Sequence, residues 1–449
     1  MSNEYPRVLV EPPGPLSRKI IEEDSKYIMQ SFARWYPLVI KTGKGVMVED
    51  VDGNRYIDFN AGIAVLSTGH LHPEVVEAIK LQAEKLIHYS LTDFYYKEAV
   101  EAAKDIIGVL PFSTSSKVFF TNSGTESIEG SLKIARGVFE SKRQYIIGFI
   151  GSFHGRTMGS LSLTSSKPVQ RKNFAPLLPS VILVPYPYPY RCPFKVSDEE
   201  ECGEAVIEFM EEWVFSKFVP PEEVAAIVFE PIQGEGGYIV PPRNFFSLLR
   251  KTADKYGILL IDDEIQTGIG RTGKWFAIEH WGIEPDIICI AKGIASGMPL
   301  GVIAGKGNVM TLKPGSHATT FGGNPVSLAA ARATISVIKK YKLVENAKRV
   351  GEFILKYLKD LMDKYSIIGD VRGLGLMIGV ELIENRETKK PAPQLLSKLI
   401  TKCFKKGLLV IGAGVSTLRI SPPLVISRED AERGLEILEE CLREVNENK

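Results

Sequence analysis

The chain has 449 residues, of which 44% are hydrophobic and 24% charged, and its net charge is +1. That composition supports packed cores and suggests two domains, and the near-neutral balance excludes a basic nucleic-acid surface. No apolar run is long enough to cross a bilayer, so no membrane partner is expected. The opening MSNEYPRVLVEPPG lacks the basic-then-apolar order of a secretory leader. The five cysteines are scattered, odd in number and without a CxxC pair, so they read as reduced, mostly buried thiols in a cytoplasmic protein. His70 and His72 flank one residue at a turn and lack further ligands of the usual spacing, so no metal site is expected.

In chain order, residues 1–40 form a Pro-rich arm followed by a helix over Leu16–Ser31. Val46–Phe59 alternates around Asp52-Gly53 and predicts a β-hairpin. Gly62–Pro73 reads as a loop, and Pro73–Tyr89 as a helix with Val75, Val76, Ile79, Ala83 and Leu86 on one face. Lys117–Thr121 is a predicted strand. Asn122-Ser123-Gly124-Thr125-Glu126 then opens a helix to about Phe139. A Ser or Thr beside glycine at that point caps the helix, and the free N–H groups there can also receive an anion. Gln144–Ile150 is the next predicted strand, running into the loop Phe153-His154-Gly155-Arg156, which could wall a ligand. Tyr186–Tyr190 alternates with proline and reads as an extended connector. A helix over Glu204–Phe218, a strand over Ala225–Phe229 and a helix over Asn244–Tyr256 stopped by Gly257 follow. Strands are expected at Leu300–Ala304, Gly373–Val380, Leu408–Ile411 and Leu418–Ile420, the last containing Arg419. Helices are expected at Pro325–Tyr341, from Lys342 to Tyr365, over Gln394–Lys405 and from Arg428. The change of texture at Lys342 marks a small α+β domain. The expected division is an arm with part of the small domain at 1–65, a large domain at 66–341 and the small domain at 342–449.

The organising stretch runs from Gly257 to Gly297. Its two Ile-rich runs, Ile258–Ile261 and Ile287–Ala291, read as buried parallel strands. The first ends on Asp262-Asp263-Glu264 and the second on Lys292. Ligands in open α/β sheets sit beyond the carboxyl ends of strands, so a carboxylate and a lysine at two such ends can face one ligand. Pyridoxal phosphate chemistry needs that pair; the plainer alternative is a turn cap and a surface lysine.

Several motifs occur together and in order: FNAGIAVLSTGHLHP, SGTES, FHGRT, EPIQGEGG, LLIDDEIQTGIGRTG, IAKGIASGMPLG, TTFGGNP, DVRGLGLMIGVEL and LRISPPL. With them the chain resembles the class III (ω-amino acid) aminotransferases, most closely the 4-aminobutyrate aminotransferases. The resemblance implies an α/β fold: an aspartate aminotransferase-like large domain (pyridoxal phosphate fold type I) with a mostly parallel sheet, plus the small α+β domain. It implies pyridoxal 5'-phosphate as cofactor, with Lys292 as Schiff-base lysine and proton carrier and Asp263 on the pyridine nitrogen. Gln266 would contact the ring hydroxyl, Phe153 would stack on the ring and His154 would join the cofactor set. Gly124 and Thr125 would hold the phosphate, with Thr320 reaching it from a neighbouring subunit, so a homodimer or higher homo-oligomer is implied. Arg419 would bind the α-carboxylate of a 2-oxo acid, Glu235 would pair with Arg419 otherwise, and Arg156 would take the distal carboxylate. Ile63 and Glu230 complete the substrate set.

Two positions depart from the family pattern. Asp262 stands where Ala or Val is common, so it must be solvated or paired, and SGTES replaces the commoner Glu-Ala after the threonine. The implied reaction moves an amino group from an ω-amino acid to 2-oxoglutarate. The donor is 4-aminobutyrate first, with ornithine, acetylornithine and lysine open. An amino-acid racemase on the same scaffold is the alternative, with Glu235 as second acid/base. A catalytically idle binding protein is disfavoured by the intact Lys292, Asp263 and Arg419.

Overall fold

Seven strands make the sheet that carries the site. Across it they run Ser116–Thr121, Gly301–Lys306, Ile287–Ile290, Leu259–Asp263, Val224–Phe229, Tyr145–Phe149 and Val181–Val184 in the computed structural model, which describes residues 6–140 and 142–447. Only Gly301–Lys306 runs against its neighbours. Val224–Phe229 (VAAIVF) is buried at every position, as expected of a strand covered on both faces. Alternation sorts the side chains. Ala226, Val228 and Ile261 pack with Ile128 and Leu132 of the helix Gly124–Val138. Ile227, Phe229 and Leu260 pack with Phe245, Phe246 and Leu249 of the helix Phe245–Tyr256. Asp263 therefore lies on the Gly124–Val138 side of its strand and Asp262 on the other.

The remainder builds two smaller sheets. Ile368–Leu374, Met377–Asn385, Thr417–Ile420 and Ile411–Ala413 lie side by side in one, with Lys390–Pro391 added to Met377–Asn385. In the other, Ile40–Lys44, Met47–Asp50 and Arg55–Asp58 are joined by Leu408–Leu409, which runs parallel to Arg55–Asp58. The first and last thirds of the chain thus share a sheet.

Several expectations need correction. Gly373–Val380 is not one strand. Gly375 takes φ +53° and Leu374 pairs with Met377, so the chain reverses in a hairpin inside an unbroken apolar run. Leu408–Ile411 is divided between the two smaller sheets. The helix expected at Glu204 starts at Glu199, where the Asp198 carboxylate accepts from the Glu200 and Glu201 amides, and it passes into a π-helix over Met210–Phe215. The first helix stops at Tyr27 and the Pro73 helix at Lys85, each short of the predicted end. At the start of the loop expected over Gly62–Pro73, and one residue ahead of it, the run Ala61–Ala64 forms a left-handed turn, every residue having φ between +52° and +66°. Cys192 and Cys202 are a disulfide rather than two thiols: the turn at Pro189–Arg191 brings Cys192 against the helix Glu199–Phe209. Cys289, Cys403 and Cys441 are free and buried. Among the described residues, no helix is long and apolar enough to cross a membrane.

Candidate active site

A cavity of about 430 Å³ opens at the carboxyl ends of the two organising strands. Asp263, Gln266, Lys292, Gly124, Thr125, Phe153, His154, Arg156, Glu230 and Glu235 all line it. Each comes from the end of a strand or from the segment that follows one, so the parallel sheet does the gathering. Lys292 stands one residue beyond the strand Ile287–Ile290 and takes φ +44°, a strained value for a side chain of this size.

The floor is a chain of buried groups. His154 Nδ1 meets Asp263 Oδ2 at 2.7 Å, and Asp263 Oδ1 accepts from the Ile265 amide at 3.1 Å. Burial works against a charge on His154, but the hydrogen bond to Asp263 and the charges of Asp263 and Glu230 prevail and raise its pKa. Lys292 is affected in the other sense. Burial lowers its pKa, although Asp263 and Glu235 oppose that. An amine so placed is more readily neutral near neutral pH, as a proton carrier must be.

Glu230 touches the backbone. Its Oε1 accepts from the Phe153 amide at 2.9 Å and its Oε2 from the Gly234 amide at 2.8 Å, which fixes the loop of the ring-stacking candidate. Burial pushes its carboxyl up to about 7, with His154 opposing and Asp263 assisting. At one end, the helix Gly124–Val138 points its first turn into the cavity, capped by Ser123. Thr125 Oγ1 lies 2.7 Å from Thr157 Oγ1 and 2.6 Å from Ser160 Oγ.

Behind the cavity wall, Arg419 Nη1 donates to Glu235 Oε1 at 2.7 Å. Arg372 braces the pair. It donates to the Gly237 and Tyr238 carbonyls beside Glu235 and to Thr417 Oγ1 on the strand of Arg419. The carboxylates of Asp370 and Glu381, at 2.6 and 2.9 Å from Arg372, balance its charge. Arg156 is exposed, lies 5.5 Å over the Phe153 ring and makes no ion pair among the described residues.

Three expected site residues do not line the cavity. Arg419 lies behind Glu235, which lines the cavity and covers it. Ile63 is 46% exposed in the left-handed turn, and Val65 lines the cavity instead. Thr320 is also exposed; its loop is tied down by Asn122 and Thr92, which donate to Thr319. Met298, Pro299 and Leu300 line the cavity without having been singled out, although their motif was. Asp262 is neither solvated nor paired. It is fully buried on the far face, neither carboxylate oxygen has a hydrogen-bond partner among the described residues, and burial beside Glu264 and Asp263 raises its pKa well above the usual carboxylate range. His70 bonds Asp58 at 2.8 Å.

The donor set fits a phosphorylated aromatic aldehyde. Gln266 Oε1 is buried, its residue lines the cavity, and it has no hydrogen-bond partner among the described residues, as an acceptor for a ring hydroxyl would be. A helix N-terminus offers anion-binding amides, and an amine and a carboxylate, Lys292 and Asp263, line the same cavity.

Comparison with known proteins agrees. Residues 29–442 match the family model described as aminotransferase class-III. The chain is 43% identical over 448 residues to an alanine/serine racemase of Pyrococcus horikoshii, covering 98% of this chain and 93% of that one. It is 37% identical over 449 residues to a 4-aminobutyrate aminotransferase of Mycobacterium leprae, covering 98% and 99%. Among solved structures, an amine transaminase from an uncultivated Pseudomonas species in its PLP-bound form superposes with a TM-score of 0.87 at 30% identity, covering 93% and 98%. The chain belongs to the class III aminotransferases and is a pyridoxal phosphate enzyme of fold type I.

Proposed function

We propose that this enzyme transfers the amino group of an ω-amino acid, 4-aminobutyrate foremost, to 2-oxoglutarate. The observation that carries the reading is the contrast between the two arginines. Arg419 is covered by Glu235, which lines the cavity, whereas Arg156 lines the cavity itself and is exposed. A donor whose only carboxylate lies far from its amine suits that resting arrangement. Pyridoxal phosphate, when bound, supplies the electron sink that makes a C–H bond beside the amine acidic. In this proposal Lys292 holds the cofactor and carries the proton, and Asp263, oriented by His154, holds a proton on the ring nitrogen. Gln266 accepts from the ring hydroxyl, Phe153 packs on the ring face, and Gly124 and Thr125 receive the phosphate.

Separate measurement of the two half-reactions tests the arginines. Arg156 can hold the distal carboxylate of both substrates, while Arg419 meets an α-carboxylate only in 2-oxoglutarate. Arg156→Ala is expected to lower kcat/KM in both halves, and Arg419→Ala mainly in the 2-oxoglutarate half. Each loss should be roughly ten- to a hundredfold, the value of a charge-assisted contact of about 1.5–3 kcal/mol. A 4-aminobutyrate half-reaction indifferent to Arg156→Ala would defeat the donor assignment.

The second reading, racemisation of a neutral amino acid, is favoured by the 43% identity to the alanine/serine racemase. It uses the same lysine and needs a second acid/base; Glu235 lines the cavity and is near enough to Lys292 to influence its ionisation. Loss of optical rotation from L-alanine without any 2-oxo acid separates the readings.

The working unit of either reading is a homodimer in the cytoplasm. Thr320 sits beside Phe321, which is 61% exposed and contacts the His88 ring at 5.2 Å. Ile87, Tyr89, Phe94 and Tyr95 are also at least half exposed. An apolar face of this kind asks for cover, and a second copy would bring Thr320 to its partner's phosphate end. Thr320→Ala should then release cofactor roughly tenfold more readily, read by dialysis and absorbance. A fully cofactor-loaded monomer in sedimentation would refute this.

A further inference from the structure

Glu235 touches two cations, and the proposed reaction accounts for one. Its Oε1 is 2.7 Å from Arg419 Nη1, while its Oε2 is 3.6 Å from Lys167 Nζ. The two partners differ in setting. The Arg419 side chain is 3% exposed and its Nε is buried without a hydrogen-bond partner among the described residues. The Lys167 side chain is 31% exposed. Lys167 is held in place: its amide donates to Gln170 Oε1, and its ammonium lies 5.9 Å over the ring of Trp35. Trp35 in turn packs against Gly412, where an added Cβ would meet its ring at 2.8 Å. Gly412 pairs with Leu418, next to Arg419. The ammonium therefore stands on the outer side of Glu235, braced by an aromatic wall.

We propose that Lys167 is a positioning residue that receives Glu235 whenever a substrate α-carboxylate takes Arg419. An incoming α-carboxylate must displace Glu235, and a displaced carboxylate left facing it would repel it across a poorly solvated gap. Glu235 already shares one oxygen with Lys167. Rotation toward Lys167 frees Arg419 without leaving the glutamate unpaired. Return to Arg419 restores the state in which a donor lacking an α-carboxylate binds. This inference rests on the part of the functional reading that brings an α-carboxylate to Arg419. It does not depend on the choice between transamination and racemisation.

The test is a double-mutant cycle on the holoenzyme, with the cofactor's visible absorption confirming that each variant is loaded. Lys167→Met is expected to raise KM for 2-oxoglutarate about five- to tenfold at nearly constant kcat, the scale of a partly exposed charge contact. The 4-aminobutyrate half-reaction should move less than twofold, and Lys167→Arg should restore the 2-oxoglutarate KM. In a Glu235→Gln background no carboxylate has to be moved, so Lys167→Met should add nothing. An equal penalty in that background would overturn the proposal, because Lys167 would then be touching the substrate itself. An equal loss with 4-aminobutyrate would overturn it too. If no donor is transaminated, Lys167→Met and Lys167→Arg are read singly on the KM for alanine racemisation by optical rotation, with Glu235 left in place because that reading uses it as an acid/base; a KM unmoved by Lys167→Met there overturns this inference, whereas absent transamination alone overturns only the functional reading.

Discussion

Lys292→Ala is expected to lower turnover by at least about ten-thousandfold while leaving the fold intact, because two separate contributions vanish together. The side chain sits at a strand end in a cavity, so its truncation removes no core packing. It does remove the amine that would join the cofactor and the only amine among the cavity-lining residues that could carry a proton. Arg156, the other strong base lining the cavity, stays protonated at any working pH and cannot act as a proton carrier. Burial lowers the Lys292 pKa, so the wild-type amine should work at a pH below that of an ordinary lysine. The checks are loss of the bound cofactor's visible absorption band, a melting temperature near that of the wild type, and partial return of turnover with an added small primary amine. Ordinary activity in the variant, with an unchanged spectrum, would remove Lys292 from the centre of the mechanism.

Why the lysine and its acid could be found in the sequence, and other parts of the site could not, has a physical explanation. Asp263 and Lys292 each end a short apolar run, and polar residues at the ends of buried strands are exceptions that alternation exposes. The Gly375 hairpin was hidden for the opposite reason. Its turn lies in the run Leu374–Val380, whose hydrophobicity never breaks. The left-handed turn at Ala61–Ala64 uses residues that carry no turn preference apart from Gly62, so only the surrounding structure could dictate it. Asp262 was legible as an oddity and misread as to its fate. Which face of a strand a residue takes depends on register, and a one-residue difference separates the cavity from the core. The brace of Arg372 on Gly237, Tyr238 and Glu381 joins segments far apart in the chain, and no local pattern announces such partners. The disulfide of Cys192 with Cys202 was missed because a turn that brings two cysteines together is not written in their spacing.

Asp263→Asn should retain the cofactor but turn over roughly a hundred- to several-thousandfold more slowly. The carboxylate now accepts from the Ile265 amide through Oδ1 and contacts His154 through Oδ2. A carboxylate has acceptor capacity left for a third donor in the cavity, the protonated ring nitrogen. An asparagine has one acceptor oxygen. If that oxygen serves His154, the amide NH₂ faces the Ile265 N–H, donor against donor. If it serves Ile265, the NH₂ turns toward His154, whose pKa the aspartate now raises, and the ring loses the carboxylate that favours its charged form. In both arrangements the negative charge that would keep a proton on the ring nitrogen is gone. Breaking a buried charge pair by neutralising one member costs about 3–5 kcal/mol, and each 1.36 kcal/mol of barrier is a factor of ten. Because that charge matters most as the ring gains electron density, the loss belongs in kcat, with KM for either substrate changing less than about threefold. The His154 contact gives a second reading of the same variant. Its imidazole should titrate at lower pH, since the group that raises it has been neutralised, and this can be followed by the pH dependence of its proton resonance. A loss confined to KM, with the His154 titration unmoved, would show that Asp263 only shapes the cavity.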